Sequence, residues 1–591
     1  MTMTPEKIAE GIDYGRFESA VGLNWYEVDP NLQFQVRRLV DREQQPFVEK
    51  HLRRMGEVCG GPIARRAEVT DKHPPQLVRY DEWGNEVCRI VHHPGAVQTK
   101  RDLWENGFIG LRWSDEGRKY GTLHHVLTTG FSYLLSQAET GMLCAIGMTS
   151  SAAGIIERYA PARVRDRFLS HMTTMNFDEA WDGAMFMTEI RGGSDLALSE
   201  TTATWDEAAR GWKLNGSKWF CSNVDAAAIL TLARPEGAPD GLRGLALFLV
   251  PAFREDGSRN GIVIKRLKDK LGTRAVPTAE VDFVDAEAYL MAGETQNGAA
   301  ARDGRGLNRM MEMVNGSRFG VAVMGLGIMR RSFLEAAIYA SHREAFGQRI
   351  IDLPLVRETL TSMAVELEAA ATLVFEAGEA GQQARESDVH RRLNRIAIPL
   401  AKFRCARKGV ELASQAVEIF GGNGYVENWP VARQLRDAQC HTIWEGTENI
   451  ICLDVLRSMR KEGAHEALLK RVYDIADSVE HPMLVDTAQV VRQSADDVRQ
   501  AIQYLEQQSA EVQQLNARKL SNYLADALSA SLLLEEASWE LAYEGSARKA
   551  LVARKYAATH LAEQPQRGLT SGDRTPLDDF DAIVRYKPVG L

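Results

Sequence analysis

Between positions 184 and 290 the chain changes its hydrophobic period, and this limits the folds open to it more than any other feature. Before that stretch, apolar residues recur three and four apart, as in Phe131, Leu134 and Leu135 or Ile155, Ile156 and Tyr159, the spacing of a helix with one apolar face. Within it, short alternating or β-branched runs are cut by turn signals at Asn215-Gly216, at 237–241 and at Asp256-Gly257. Strands are expected over 211–214, 244–250, 261–266 and 280–284, short enough for a sandwich or barrel. After a Gly-rich loop at 297–306, helical spacing returns over 307–345, 355–381 and 390–420, the last closed by Gly421-Gly422. Further helices are expected over 465–478, 487–508 and 516–561, with a polar tail from Gln564.

The chain is thus read as α+β: an N-terminal helical domain (1–183), a middle β domain (184–295), a C-terminal helical bundle (296–460) and a helical extension (461–591). At 591 residues it exceeds what one core organises, and 45% hydrophobic residues can supply several interiors. The stretch 62–95, with Pro74-Pro75 and dense charge, reads as a surface excursion. A net charge of −9 argues against holding nucleic acid by the overall field. Positions 1–11 lack the basic start and apolar core of a leader, and no apolar run approaches the roughly 20 residues that span a bilayer; a cytoplasmic protein without a membrane partner is expected. The seven cysteines are scattered and never spaced C-x-x-C, so they read as buried free thiols, with no metal site.

Four motifs carry chemistry. In Met187-Thr188-Glu189-Ile190-Arg191-Gly192-Gly193-Ser194-Asp195-Leu196, paired glycines let backbone amides approach an anion or ring edge while Thr188 and Ser194 offer hydroxyls; taken alone it could be a plain turn. In Asn215-Gly216-Ser217-Lys218-Trp219-Phe220-Cys221-Ser222, a turn feeds a strand in which Phe220 and Ser222 share a face opposite Trp219 and Cys221; this suits a flat ring such as a flavin, or simple core filling. In Arg343-Glu344-Ala345-Phe346-Gly347, Arg343 offers a planar fork matched to pyrophosphate with Phe346 beside it, although a terminal arginine also suits a solvated helix end. The fourth joins Phe420-Gly421-Gly422-Asn423-Gly424 to Ile443-Trp444-Glu445-Gly446-Thr447-Glu448-Asn449. A carboxylate between Trp444 and Gly446 has the partly apolar setting of a general base; spacing alone leaves Glu448 as an alternative.

In this order the four motifs resemble the acyl-CoA dehydrogenase family, well over 183–456 and more loosely before it. The resemblance implies N-terminal helices, a middle β domain and a four-helix bundle, with extended FAD between them. It also implies that Met187, Thr188, Gly193, Ser194, Phe220 and Ser222 hold the flavin. Arg343 and Phe346 would reach the FAD of a neighbouring subunit, Gly421 and Gly422 would line the cofactor across that interface, and Trp444, Thr447 and Asn449 would complete the pocket. Arg318 matches an arginine near the CoA entrance. Glu445 would take the α proton of an acyl-CoA thioester as the β hydride goes to flavin N5, with electrons passed to electron-transferring flavoprotein or another acceptor. A homotetramer is implied, with a dimer as the smaller alternative.

Within the family the phrases Lys218-Trp219-Phe220, Lys268-Asp269-Lys270-Leu271-Gly272 and Trp444-Glu445-Gly446, with the C-terminal extension, are similar to the AidB-type alkylation-response branch, which is associated with DNA. DNA affinity needs lysine and arginine on phosphates. Here Lys470, Arg471, Arg518, Lys519, Arg548, Lys549, Arg554 and Lys555 are interleaved with at least as many acids and read as solvated helix faces, so DNA is the disfavoured alternative partner.

Overall fold

The computed structural model describes residues 11–120 and 123–590; the leader reading therefore falls, Gly11 apart, outside the described residues. The chain forms two compact units, one of 65–123 and 139–320, the other of residues up to 64, 124–138 and 321 onward. No helix among the described residues is long and apolar enough to cross a membrane.

The first unit is built on seven strands: β1 (Gly183–Phe186), β2 (Thr202–Asp206), β3 (Gly211–Ser222), β4 (Ala228–Pro235), β5 (Ala246–Pro251), β6 (Ile262–Leu267) and β7 (Thr278–Leu290). The pairings run β4-β2-β3-β7-β5 and return to β4, so the sheet closes into a barrel, with β1 parallel to β4 and β6 on β7. Closure removes open strand edges. β5 is apolar throughout, and β4 is apolar but for Arg234 near its end and Thr231, whose buried hydroxyl donates to the Phe186 carbonyl at 2.7 Å; both strands have both faces covered. Ile229, Ala233, Ala246, Phe248 and Val250 point into one core with Trp212 and Phe283. The alternate residues Leu230, Leu232, Leu247 and Leu249 pack in a second core with Ile155, Ile156, Phe168, Met310 and Met313.

Asn215-Gly216 is not a turn. β3 runs straight through it, and the register with β7 shifts between Leu214 and Gly216, a bulge that uses the positive φ of Gly216. A second shift, between Lys218 and Cys221, turns both of those side chains inward and leaves Phe220 exposed. The 62–95 excursion is only partly one: Ile63, Ala64 and Ala67 are buried, and the exposed portion is the hairpin Gln76–Tyr80 with Glu86–Val91.

The second unit is helical: α1 (Pro30–Leu39), α2 (Gly306–His342, entering it at 321), α3 (Pro354–Gln383), α4 (Asp388–Phe420), α5 (Pro430–His441), α6 (Glu448–Glu462), α7 (Ala464–Asp477), α8 (Val485–Glu506), α9 (Ala510–Tyr543) and α10 (Arg548–His560). The single helix expected over 516–561 is two, broken at Gly545, whose φ of +64° suits glycine.

Arg548 and Lys549, read above as solvated, are buried. Arg548 pairs with Glu368 of α3, and Lys549 Nζ lies 2.6 Å from Glu536 of α9, 2.9 Å from Glu368 and 2.6 Å from Asn31 of α1. Burial pushes the Glu368 carboxyl up, but Arg548 and Lys549 outweigh it and hold it at about 2. Removing one partner from such a cluster strands a buried charge at a cost of about 3–5 kcal/mol. The extension is thereby locked to the bundle and to α1. All seven cysteines are free; Cys144 and Cys440 are half-buried and the other five buried.

Candidate active site

In the barrel unit, the loop after β1 is anchored by its own acid. Glu189 is buried and accepts from Lys218 Nζ at 2.7 Å, Thr201 Oγ1 at 2.7 Å and the Glu200 amide at 2.6 Å. Burial opposes its charge, yet Lys218 and these donors hold the carboxyl below the usual range. The Trp219 amide donates to the Thr188 carbonyl at 2.8 Å, so the first two motifs meet at Thr188. Gly193 comes so close that a β-carbon there would stand 2.5 Å from Thr188 Oγ1. Thr188 and Met187 are half-buried, Met187 against the second core, and Ser194 is exposed.

Phe220 is 55% exposed, with Lys268 Nζ 5.0 Å from the centre of its ring. The Ser222 hydroxyl is 2.9 Å from Thr278 Oγ1. Lys268 Nζ stands 3.4 Å from the centre of the Trp219 ring and donates to Glu280. Cys221 is no nucleophile, since burial pushes its thiol well up. Arg318, on α2, is buried.

The helical unit holds the other two motifs. Tyr339, Arg343, Ile350, Ile419, Phe420, Gly421, Gly422 and Asn423 line a cleft of about 380 Å³. Tyr339 stacks on Phe420 with centroids 4.0 Å apart, and Asn423 donates to the Tyr339 hydroxyl at 3.1 Å. Nothing stands within 4 Å of the places where side chains would project from Gly421 and Gly422. Arginine and bare backbone around such a cleft suit a phosphate-bearing group. Phe346 does not line the cleft: it sits at the tip of the Glu344–Ala345 and Gln348–Arg349 hairpin, 93% exposed. Tyr339 and Ile350 escaped the sequence reading; Tyr339 lies four residues before Arg343, on the same helical face.

The turn between α5 and α6 carries Glu445. The Ile443 and Trp444 amides both donate to the Cys440 carbonyl at 3.0 Å, and the chain then enters the left-handed region at Glu445 (φ +58°) and Gly446 (φ +114°). For a side-chain-bearing residue that conformation costs about 1–2 kcal/mol, and such strain gathers at functional sites. The Gly446 carbonyl accepts from the buried Lys402 of α4 at 2.5 Å. Beside it, burial, and secondarily Lys402, hold His441 neutral at about 3.

Glu445 and Trp444 are half-buried and Thr447 exposed. Glu448 is engaged by Arg407 and by Arg518 of the extension, each at 2.8 Å, and Asn449 accepts from Arg518 at 2.5 Å. These pairs engage the carboxylate that spacing had left open as an alternative. The sequence reading missed Lys402 and Arg407 and took Arg518 for part of a solvated face; the hint for Lys402 was a lysine set in the apolar run 396–403.

A helix-barrel-helix order with these motifs defines an acyl-CoA dehydrogenase-like protein. Residues 184–286 match the acyl-CoA dehydrogenase middle domain and 304–460 its C-terminal domain. Residues 17–179 match the adaptive response protein AidB N-terminal domain, and 465–580 the acyl-CoA dehydrogenase 11 C-terminal domain-like family. The chain belongs to the acyl-CoA dehydrogenase family. It is 34% identical to AidB of Escherichia coli (strain K12) over 73% of this chain and 78% of that one. It is 32% identical to acyl-CoA dehydrogenase family member 11 of Caenorhabditis elegans over 76% and 73%. The solved structure of Caenorhabditis elegans ACDH-11 in complex with C11-CoA superposes with a TM-score of 0.83 at 28% identity, covering 98% of this chain and 99% of that one.

Proposed function

We propose that this chain dehydrogenates an acyl-CoA thioester with FAD as cofactor and Glu445 as the catalytic base. The observation that carries the reading is the left-handed turn at Glu445, held through Gly446, next to a Glu448 that is already paired. A relative solved with C11-CoA supports the thioester class.

The residues fit FAD on two counts. Gly193 leaves room at Thr188 that a β-carbon would fill, and Arg343 with the bare Gly421 and Gly422 backbone offers a polar cleft for phosphates. Thr188, Ser194 and Ser222 supply hydroxyl donors and Met187 and Phe220 apolar surface for the ring; Trp444, Thr447 and Asn449 are proposed cofactor contacts of the helical unit. When bound, FAD supplies the two-electron acceptor for the β hydride.

The Glu445 carboxylate takes the α proton while its amide donates to the thioester carbonyl, which makes that proton more acidic. Arg318 contacts the CoA moiety. Electrons leave to an electron-transferring flavoprotein or comparable acceptor. A homotetramer, or at least a dimer, covers the exposed Phe346 and Tyr425, the latter 89% exposed.

The DNA reading draws no support from the extension. Arg548 and Lys549 are buried and paired, Arg554 pairs with Asp579 at 3.0 Å, and Lys555 pairs with Asp573. The test is anaerobic addition of a panel of acyl-CoA thioesters to the yellow protein. Bleaching by a member of the panel supports the reading, and unchanged colour throughout contradicts it.

A further inference from the structure

Lys402 stands in an otherwise apolar run of α4, Ile396 to Phe403, and is 1% exposed. A buried ammonium is expensive, and an apolar side chain of similar length would fill the same space without that cost. Stability alone therefore does not account for a lysine here. Its Nζ donates to the carbonyl of Gly446 at 2.5 Å, in the residue directly after Glu445. Both residues of that dipeptide are left-handed, and relaxation to commoner backbone angles would swing the Glu445 side chain away. His441, the last residue of α5, is wholly buried and neutral, so the cation meets no second positive charge from the other side of the turn.

We infer that Lys402 is a positioning residue: by binding the Gly446 carbonyl it clamps the turn that presents Glu445 and places a fixed positive charge one residue from the base. The inference rests on the reading of Glu445 as base. It predicts two separable effects. Loss of the clamp lowers the rate of the chemical step more than thioester affinity, since a shift of about 1 Å at a reacting group is worth roughly a hundredfold. Loss of the charge raises the proton affinity of Glu445, so the acid limb of the rate profile moves to higher pH.

The experiment is anaerobic stopped-flow reduction of the FAD-loaded protein by a saturating thioester that bleaches the wild type. It compares wild type, Glu445→Gln, Lys402→Met, Lys402→Gln and Lys402→Arg, with backbone hydrogen exchange followed over 442–447. In Lys402→Met and Lys402→Gln we expect reduction slowed about 10- to 100-fold, thioester dissociation constants changed far less, an acid limb at higher pH and faster exchange in the turn. Lys402→Arg, which keeps the charge, is expected to restore the pH limb and part of the rate. A folded neutral variant with wild-type rate, pH profile and exchange overturns the inference. Wild-type reduction by Glu445→Gln instead overturns the reading of the base; exchange over 442–447 then still decides whether Lys402 holds the turn.

Discussion

The Arg548 guanidinium and the Glu368 carboxylate, 180 residues apart, form an ion pair closed off from solvent, with side chains 6% and 0% exposed. Lys549 and Glu536 complete the cluster. It joins the extension to the bundle with charge rather than with apolar surface alone. Glu368→Ala, which leaves two buried cations short of a partner, is expected to destabilise the helical unit by about 3–5 kcal/mol. Urea unfolding followed by circular dichroism reads this, and an unchanged midpoint would mean that the cluster is solvated.

Acid should unfold the protein in two stages. His441 is held neutral at about 3 and His124 at about 4, both chiefly by burial, against an ordinary 6.5. Unfolding frees them to bind protons, so stability present above pH 6.5 is lost as pH falls toward those values. Glu368 and Glu366 are held at about 2 against 4.5, so their contribution is present above 4.5 and lost as pH falls toward 2. The melting temperature should decline from about pH 6.5 downward, and His441→Gln should flatten the upper part of that decline. A melting temperature constant from pH 7 to 5 would contradict it.

Gly193 tests the proposed flavin contact at Thr188. In Gly193→Ala the new methyl would press on Thr188 Oγ1 and turn the hydroxyl aside, with no core residue touched. Losing one hydrogen bond of ordinary strength should raise the FAD dissociation constant about two- to tenfold. Fluorescence titration of the deflavinated protein checks this, and unaltered affinity would remove Thr188 from the site.

Arg343 tests the proposed phosphate cleft of the helical unit. Arg343→Ala removes the only cation that, among the described residues, lines the cleft formed with Gly421 and Gly422. A charge-assisted bond to phosphate is worth about 1.5–3 kcal/mol, so FAD should bind roughly ten- to a hundredfold more weakly. Loss should be equal for FAD and ADP but slight for riboflavin; equal loss for riboflavin would place Arg343 elsewhere.

The β domain was legible because short alternating or β-branched runs cut by turn signals fill 184–290, but β1, β2 and β4 were not among the strands expected. Asn215-Gly216 misled because the dipeptide that favours a hairpin turn also supplies the positive φ of a bulge; only the partner strand decides between them. Arg343 and Gly421 each sit where a helix ends, and helix ends can be read from a sequence, but only the family resemblance assigned them to one cofactor. Lys402, Arg548 and Lys549 could not. A basic residue on a helix reads as solvated unless its counterpart is known, and the partners lie 44, 180 and 13 residues away. The Glu448 ambiguity had the same origin, since Arg407 and Arg518 reach it from distant helices.

The most direct test compares wild type with Glu445→Gln in single-turnover reduction of bound flavin by an acyl-CoA that bleaches the wild type. The account predicts tight thioester binding by both proteins and reduction slowed by about 10² or more in the variant. Equal reduction rates would contradict it.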